Sequence, residues 1–592
     1  MSLIMCGHKR LDFLLLNKKV NMTTLLRVIF SFTCILFSFG FAQAAPIGSA
    51  DTIFFGGPIV TVNAKNEEVQ ALAIQGGKIV AVGALADVKK SWQASGTKFI
   101  DLKGQTLMPG FVEPHIHIIG TAMSEVLGLN LSNFTLPYDT LDTLVAKMRA
   151  HLKTVPQGGW LFGFGVDPSR TSPFMAELTA DILDKVSTTV PIFIINQSGH
   201  IGYVNHKALE QAGVTENTPS PGGGGVYVKD AKGKLTGVLI EPPTYAPFMA
   251  KMPKPSATDL ANAVKKTTQN IAAAGVTTSA EITLGFQFGL ENETKLLQEL
   301  SANEGLPIRI RAYLYGPAIP AGYTSLKPNQ GDDRLRFIGV KFISDGSTQG
   351  LTAALNEPYL YPKDTKNRGD LDYKSEELYQ QIKIYFDQGW QLAVHANGDR
   401  AIEQTLANYD KLLAGNPHPE ARRLRIEHFT INTPAQVKKA VQLGVIPGFT
   451  IGHVNYWGEA FHNHLVGPER ANRIDPSAAF KKEGARFAFH SDSPVSNVGP
   501  LNYIAEGAGR LWQKPPRKVL GADQRVAVDD AIRAVTINAA YEMMSDDKIG
   551  SLEVGKLADL VILDKNPRKT PVEQISNIKV RETWIDGKRQ VW

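Results

Sequence analysis

Cysteine is almost missing from this sequence: Cys6 and Cys34 are the only two in 592 residues, and both fall in the first 44. Beyond that segment a disulfide framework is excluded, and stability must come from a large hydrophobic core. A large excess of one charge is lacking too. The formal net charge of +6 drops to about +2 without residues 1–44, 58 Lys/Arg against 56 Asp/Glu, so nothing points to a nucleic-acid or other polyanion partner. The longest apolar run, Val28–Phe41, is shorter than the ~20 residues a membrane-spanning helix needs. Internal repeats and low-complexity tracts are absent.

The apolar run has its own reading. Arg27 precedes it and Ala42-Gln-Ala44 follows it, the layout of a secretory signal with a small-x-small cleavage site. The expectation is a signal peptide over residues 1–44, cut after Ala44, with Met22 a better start than Met1. The mature chain would then be exported, periplasmic or secreted, without stable membrane association. An uncleaved anchor is the alternative.

At 592 residues, 43% hydrophobic and 20% charged, the chain is enzyme-sized and too long for one simple core. Residues 51–107 read as short strands (Ile53–Phe55, Ile59–Val62, Ala71–Ile74, Lys78–Val82) punctuated by Gly56-Gly57 and Gly76-Gly77. Leu557–Leu563 and Val580–Ile585, the latter followed by Asp586-Gly587, repeat that style near the end. One β-sandwich domain assembled from 51–107 and 523–592 is expected. Residues 108–522 instead alternate. Apolar strand candidates begin near Gly110, Gly275, Ile308, Ile338, Gln391, Leu424, Val445 and Arg486, and helical stretches separate most of them. Eight such units predict an α/β (β/α)8 TIM barrel, with a doubly wound sheet as the alternative. Residues 129–255 are too long for one connection and hold their own strand, Pro191–Ile195, so they are expected to form an insertion over the barrel mouth.

The chemistry gathers at the strand ends. In Met108–Gly120 a strand from Gly110 is expected to end in His115 and His117, which then share one face. Lys341, His395, His428 and Asp492 end later strands, and in a barrel those ends converge. Imidazole and carboxylate groups suit Zn²⁺ or a similar divalent ion.

Several of these stretches resemble the metal-dependent amidohydrolase superfamily, in particular its YtcJ-like branch with the N-substituted formamide deformylases. The resemblance rests on MPGFVEPHIH, SGHIGYVNHKAL, GVKFISDGS, LAVHANGDRAIEQTL, RIEHF, FHSDSPV and KIGSLEVGKLADLVILDKNP. It implies a barrel with a flanking β-sandwich and a mono- or binuclear metal centre. By that resemblance His115 and His117 hold the more buried metal, His395 and His428 the second, and Asp492 is both ligand and proton carrier. Lys341 bridges the two only if carboxylated by CO₂, because an ammonium has no lone pair. Its alternative is an ion pair with Asp345 or Glu281, and Glu281 is the competing bridge. His200, Tyr203, His453 and Trp457 are implied as substrate contacts, while His490 is expected to be structural. The sequence departs from the branch at Gly350-Leu351, where Ser-Arg is common, so a substrate-positioning arginine is missing. The implied activity is hydrolysis of an amide or N-formyl C–N bond in a small molecule. An ester or lactone hydrolase, or a non-catalytic exported binding protein, remains open, as does a homo-oligomer.

Overall fold

The computed structural model describes residues 48–302 and 305–591. The expected signal segment lies outside the described residues. Among them no helix is long and apolar enough to cross a membrane.

Eight parallel strands form the centre: β1 (Phe111–Glu113), β2 (Val276–Leu284), β3 (Arg309–Tyr315), β4 (Leu335–Ile343), β5 (Gln391–Ala396), β6 (Arg425–His428), β7 (Ile446–Phe449) and β8 (Ala488–Phe489). Each pairs with the next in chain order, which is a barrel and not a doubly wound sheet. The ring closes above the last ladder, where His117 N donates to Ser493 O at 2.9 Å and Asp492 N to His115 O at 3.2 Å.

The strands form because parallel barrel strands are covered on both sides and so tolerate unbroken apolar runs; every residue of β2 is buried. The outer helices follow from an apolar stripe and a cap. Ala257–Ala273 buries Val264, Thr267, Thr268 and Ile271, and the Ser256 side chain accepts from Asp259 N at its start. Pro434–Gln442 starts on proline, with Thr433 and Gln436 closing a reciprocal capping box.

The first strand corrects one expectation. It ends at Glu113, because Pro114 has no N–H to continue a ladder. His115 and His117 therefore lie in the loop beyond it, and what orients them is that loop's bonds to the segment after β8.

Below the rim the barrel is packed. Ala280, Ile282, Tyr313, Ile338, Ala393 and Ala488 meet Ala539, Ala540 and Met543, which close the floor. The N-terminal and C-terminal strands share one sheet, in which Thr106–Pro109 pairs antiparallel with Leu560–Leu563. Arg309 in β3 makes a buried bidentate pair with Asp559, at 2.7 and 2.9 Å, joining barrel to sheet. A separate six-stranded sheet between residues 129 and 240 packs around its own core of Leu144, Met148, Leu161, Ile192 and Tyr203. Its strand ends at Phe164 and Ile195 reach the barrel mouth.

Candidate metal centre and reaction cavity

A cavity of about 850 Å³ opens at the C-terminal rim of the barrel, and His115, His117, Lys341, His395, His428 and Asp492 all line it. Residues spread over almost the whole barrel sequence thus meet at one place. Asp492 Oδ1 stands 3.0 Å from Nε2 of His115 and 3.0 Å from Nε2 of His117. The His115 nitrogen is buried and lacks the alignment of a hydrogen bond to any neighbour. Two lone-pair nitrogens and a carboxylate oxygen converging in this way fit a divalent cation.

The imidazoles are oriented from behind. His115 Nδ1 donates to Glu427 Oε2 at 2.6 Å, which turns Nε2 towards Asp492. A ring nitrogen that donates to a carboxylate has no lone pair left for an ion, so Nδ1 and Glu427 orient His115 and leave Nε2 as its ligand atom. His117 Nδ1 meets Thr283 Oγ1 at 2.8 Å, and His428 Nδ1 meets Thr450 Oγ1 at 2.7 Å. His395 Nε2 lies 3.0 Å from Gly346 O, and its ring is 4.5 Å from that of His428. His490 stacks on His115 at 4.5 Å, with both of its nitrogens buried and unpartnered.

Charge is arranged to match. Burial works upward on the Asp492 carboxyl, but His115 and His117 hold it well below the usual carboxylate range. Burial, then the neighbouring His395, pushes His428 well down, keeping it a neutral donor. Burial also lowers Lys341, to about 8. Among the described residues Lys341 makes no ion pair with Asp345 or Glu281. Asp345 instead accepts from the backbone N–H groups of Ala354, Asn397 and Gly398, and Glu281 from those of Ile119 and Thr283. His428 (φ +73°) and Asp492 (φ +58°) both hold left-handed backbone, strain of ~1–3 kcal/mol each that surrounding structure must overcome.

The expected substrate contacts divide. His200 lines the cavity, and its Nδ1 is 2.6 Å from Glu241 Oε2. Burial opposes its charge, yet Glu241 raises its pKa. The other three are corrections, because none of them lines the cavity. Tyr203 is packed in the insertion core, where its OH accepts from Asn196. His453 is buried behind Thr430, 3.6 Å from Asp475. Trp457 donates from Nε1 to Asp167 Oδ2 at 2.5 Å, tying the loop after β7 to the insertion. Tyr203 and Trp457 spend their polar atoms on protein groups.

Residues not anticipated from sequence also line the wall, among them Phe162, Phe164, Phe286, Gln287 and Val495. The alternation of polar residues in Arg425-Ile-Glu427-His428 was the one available signal for Glu427; loop and insertion residues carried none.

A barrel with histidines and an aspartate converging at its C-terminal rim defines a metal-dependent hydrolase. A model of the amidohydrolase family matches residues 98–591, and the chain belongs to that family. It is similar to Protein LONG AFTER FAR-RED 3 of Arabidopsis thaliana, 29% identical over 91% of each chain. It is similar also to the N-substituted formamide deformylase of Arthrobacter pascens, 25% identical over 91% of this chain and 97% of the other. In fold it resembles an uncharacterized metal-dependent hydrolase from Pyrococcus horikoshii, with a TM-score of 0.69 and 24% identity, covering 88% of this chain and 99% of that one.

Proposed function

We propose that this hydrolase cleaves the C–N bond of an N-formyl or N-acyl amine bearing an apolar substituent, giving a carboxylic acid and an amine. The observation that carries the reading is the wall beside Asp492, where Phe162, Phe164, Ile195, Phe286 and Val495 face the centre and no arginine is among the lining residues. Such a surface suits a neutral, apolar body better than a carboxylate. The full-length likeness to a formamide deformylase supports the bond type.

In this reading His115, His117 and Asp492 hold one ion, zinc by ligand type. His395, His428 and Lys341, carboxylated by CO₂, complete a second position. A bound divalent ion supplies Lewis acidity that lowers the pKa of water and polarises a carbonyl. Asp492 then does the proton work. Its Oδ1 is committed between two imidazoles, and its Oδ2 takes the proton of the attacking water and passes it to the leaving nitrogen. The expected signal segment supports export of the mature enzyme.

Chelation should abolish turnover of a panel of N-formyl and N-acyl amines, and zinc should restore it. Asp492→Asn should lower kcat by ~10²–10⁴-fold while metal analysis still finds the ion. A metal-free preparation with full activity would sink the mechanism.

A further inference from the structure

The loop after β2 is held in an unusual way. Glu293, 1% exposed, sits in the first turn of the helix Leu290–Ser301. Its carboxylate accepts three backbone N–H groups of residues 285–288: Gly285 at 2.5 Å, Gln287 at 2.7 Å and Phe288 at 2.6 Å. Three hydrogen bonds from one short loop to one carboxyl group fix the loop's path, and the loop delivers Phe286 and Gln287 to the cavity wall. Phe286 is braced edge-on against Tyr315 at 5.3 Å.

Gln287 differs from its polar neighbours. Ser124 bonds Gly120 O, Ser198 accepts from His200 N, Thr283 faces His117, Tyr245 donates to Gly199 O, and His200 has given Nδ1 to Glu241. The Gln287 carboxamide makes no hydrogen bond among the described residues. It lies against the segment that carries His117, where a Cβ on Gly120 would stand 3.6 Å from its Nε2. A carboxamide presents one acceptor and two donors, the complement of an amide's N–H and C=O.

We infer that Gln287, presented by the Glu293 clasp, is the specificity-determining residue that recognises the amide group, its Oε1 accepting the substrate N–H. An ester has no such hydrogen, so the same side chain discriminates amide from ester. Glu293 is a positioning residue that acts through the loop.

This inference rests on the C–N hydrolase reading, and one matched pair of probes separates the two. Wild-type enzyme is compared on N-phenethylformamide and phenethyl formate, with Gln287→Leu and Gln287→Asn beside it. The expected result is a roughly tenfold or greater loss of kcat/KM on the amide with less than about a threefold change on the ester, the size of one lost hydrogen bond. Glu293→Gln keeps the volume but replaces one acceptor oxygen by an NH₂; it should raise KM for the amide more than it lowers kcat, with metal content unchanged. Equal losses on both probes, or none, would overturn the role of Gln287 while leaving the hydrolase reading intact. Wild-type enzyme inactive on the amide would overturn both. Metal content and melting temperature of each variant identify a folding failure, and Gln287→Asn, which keeps the carboxamide one methylene short, then decides the question.

Discussion

Glu427 illustrates how much of the centre depends on groups that never face the cavity. Its Oε2 accepts the hydrogen bond from His115 Nδ1, while Arg425 Nε lies 2.8 Å from its Oε1 and 3.0 Å from Glu542. Arg425 continues the chain to the Tyr313 hydroxyl, which donates to Gln391. Burial works upward on Glu427, but Arg425, His115 and Lys341 together hold it far below the ordinary carboxylate range, so His115 has an anion at its back. Glu427→Gln should therefore weaken metal binding ~10–100-fold, read by competition with a chromophoric chelator, while the ligands themselves stay unchanged. Unaltered affinity would mean that His115 is oriented by its backbone contact with Asp492 alone. In the sequence Glu427 is one letter of Arg-Ile-Glu-His, and the histidine drew the attention. Alternation along a strand puts Arg425 and Glu427 on one face, but only the closed ring brings His115, 312 positions earlier, against it.

At the scale of elements, the barrel strands were legible because each is a short apolar run between turn signals. The helical stretches expected between them are present as well, as at Ala257–Ala273, Leu290–Ser301 and Pro434–Gln442. The segment after β7 was not legible. His453–Trp457 forms an irregular helical turn that buries Trp457 under the insertion, whereas a plain loop would have left it facing a substrate. Its indole bond to Asp167 joins two elements that no periodicity connects. Trp457→Phe keeps an aromatic side chain but removes the indole N–H and strands a buried oxygen of Asp167, which should cost about 1–3 kcal/mol of stability before any loss of packing. Urea unfolding and proteolysis within residues 129–240 would register that loss, while KM for small amides should move little. A large rise in KM without destabilisation would return Trp457 to the substrate-binding role that its position in sequence suggested.

Across the whole molecule, burial is distributed so that several carboxyl groups resist ionisation, among them Glu113, Glu281, Glu506 and Glu542. Glu506, in the helix Pro500–Gly509, is the clearest: burial raises its pKa to about 8, with Asp475 adding to that and Asn455 working against it. The sign follows from proton counting. Between the unfolded value near 4.5 and the folded value near 8, the native state holds a proton that the unfolded chain has released. Glu506 thus contributes stability that is complete below about pH 4.5 and is lost as pH rises through about 8, with a slope of up to ~1.4 kcal/mol per pH unit. Glu427 and Asp492 run the opposite way, being held ionised, and their contribution disappears as pH falls. The two limbs bracket a stability maximum. Glu506→Gln removes the alkaline-side group while keeping its shape, so urea unfolding of chelated protein from about pH 5 to about pH 8 should show a shallower decline than wild type. An unchanged slope would mean that Glu506 ionises freely in the fold, through water reaching it from the surface groove beside Asn455 and Tyr456, where the same side chain forms part of the wall.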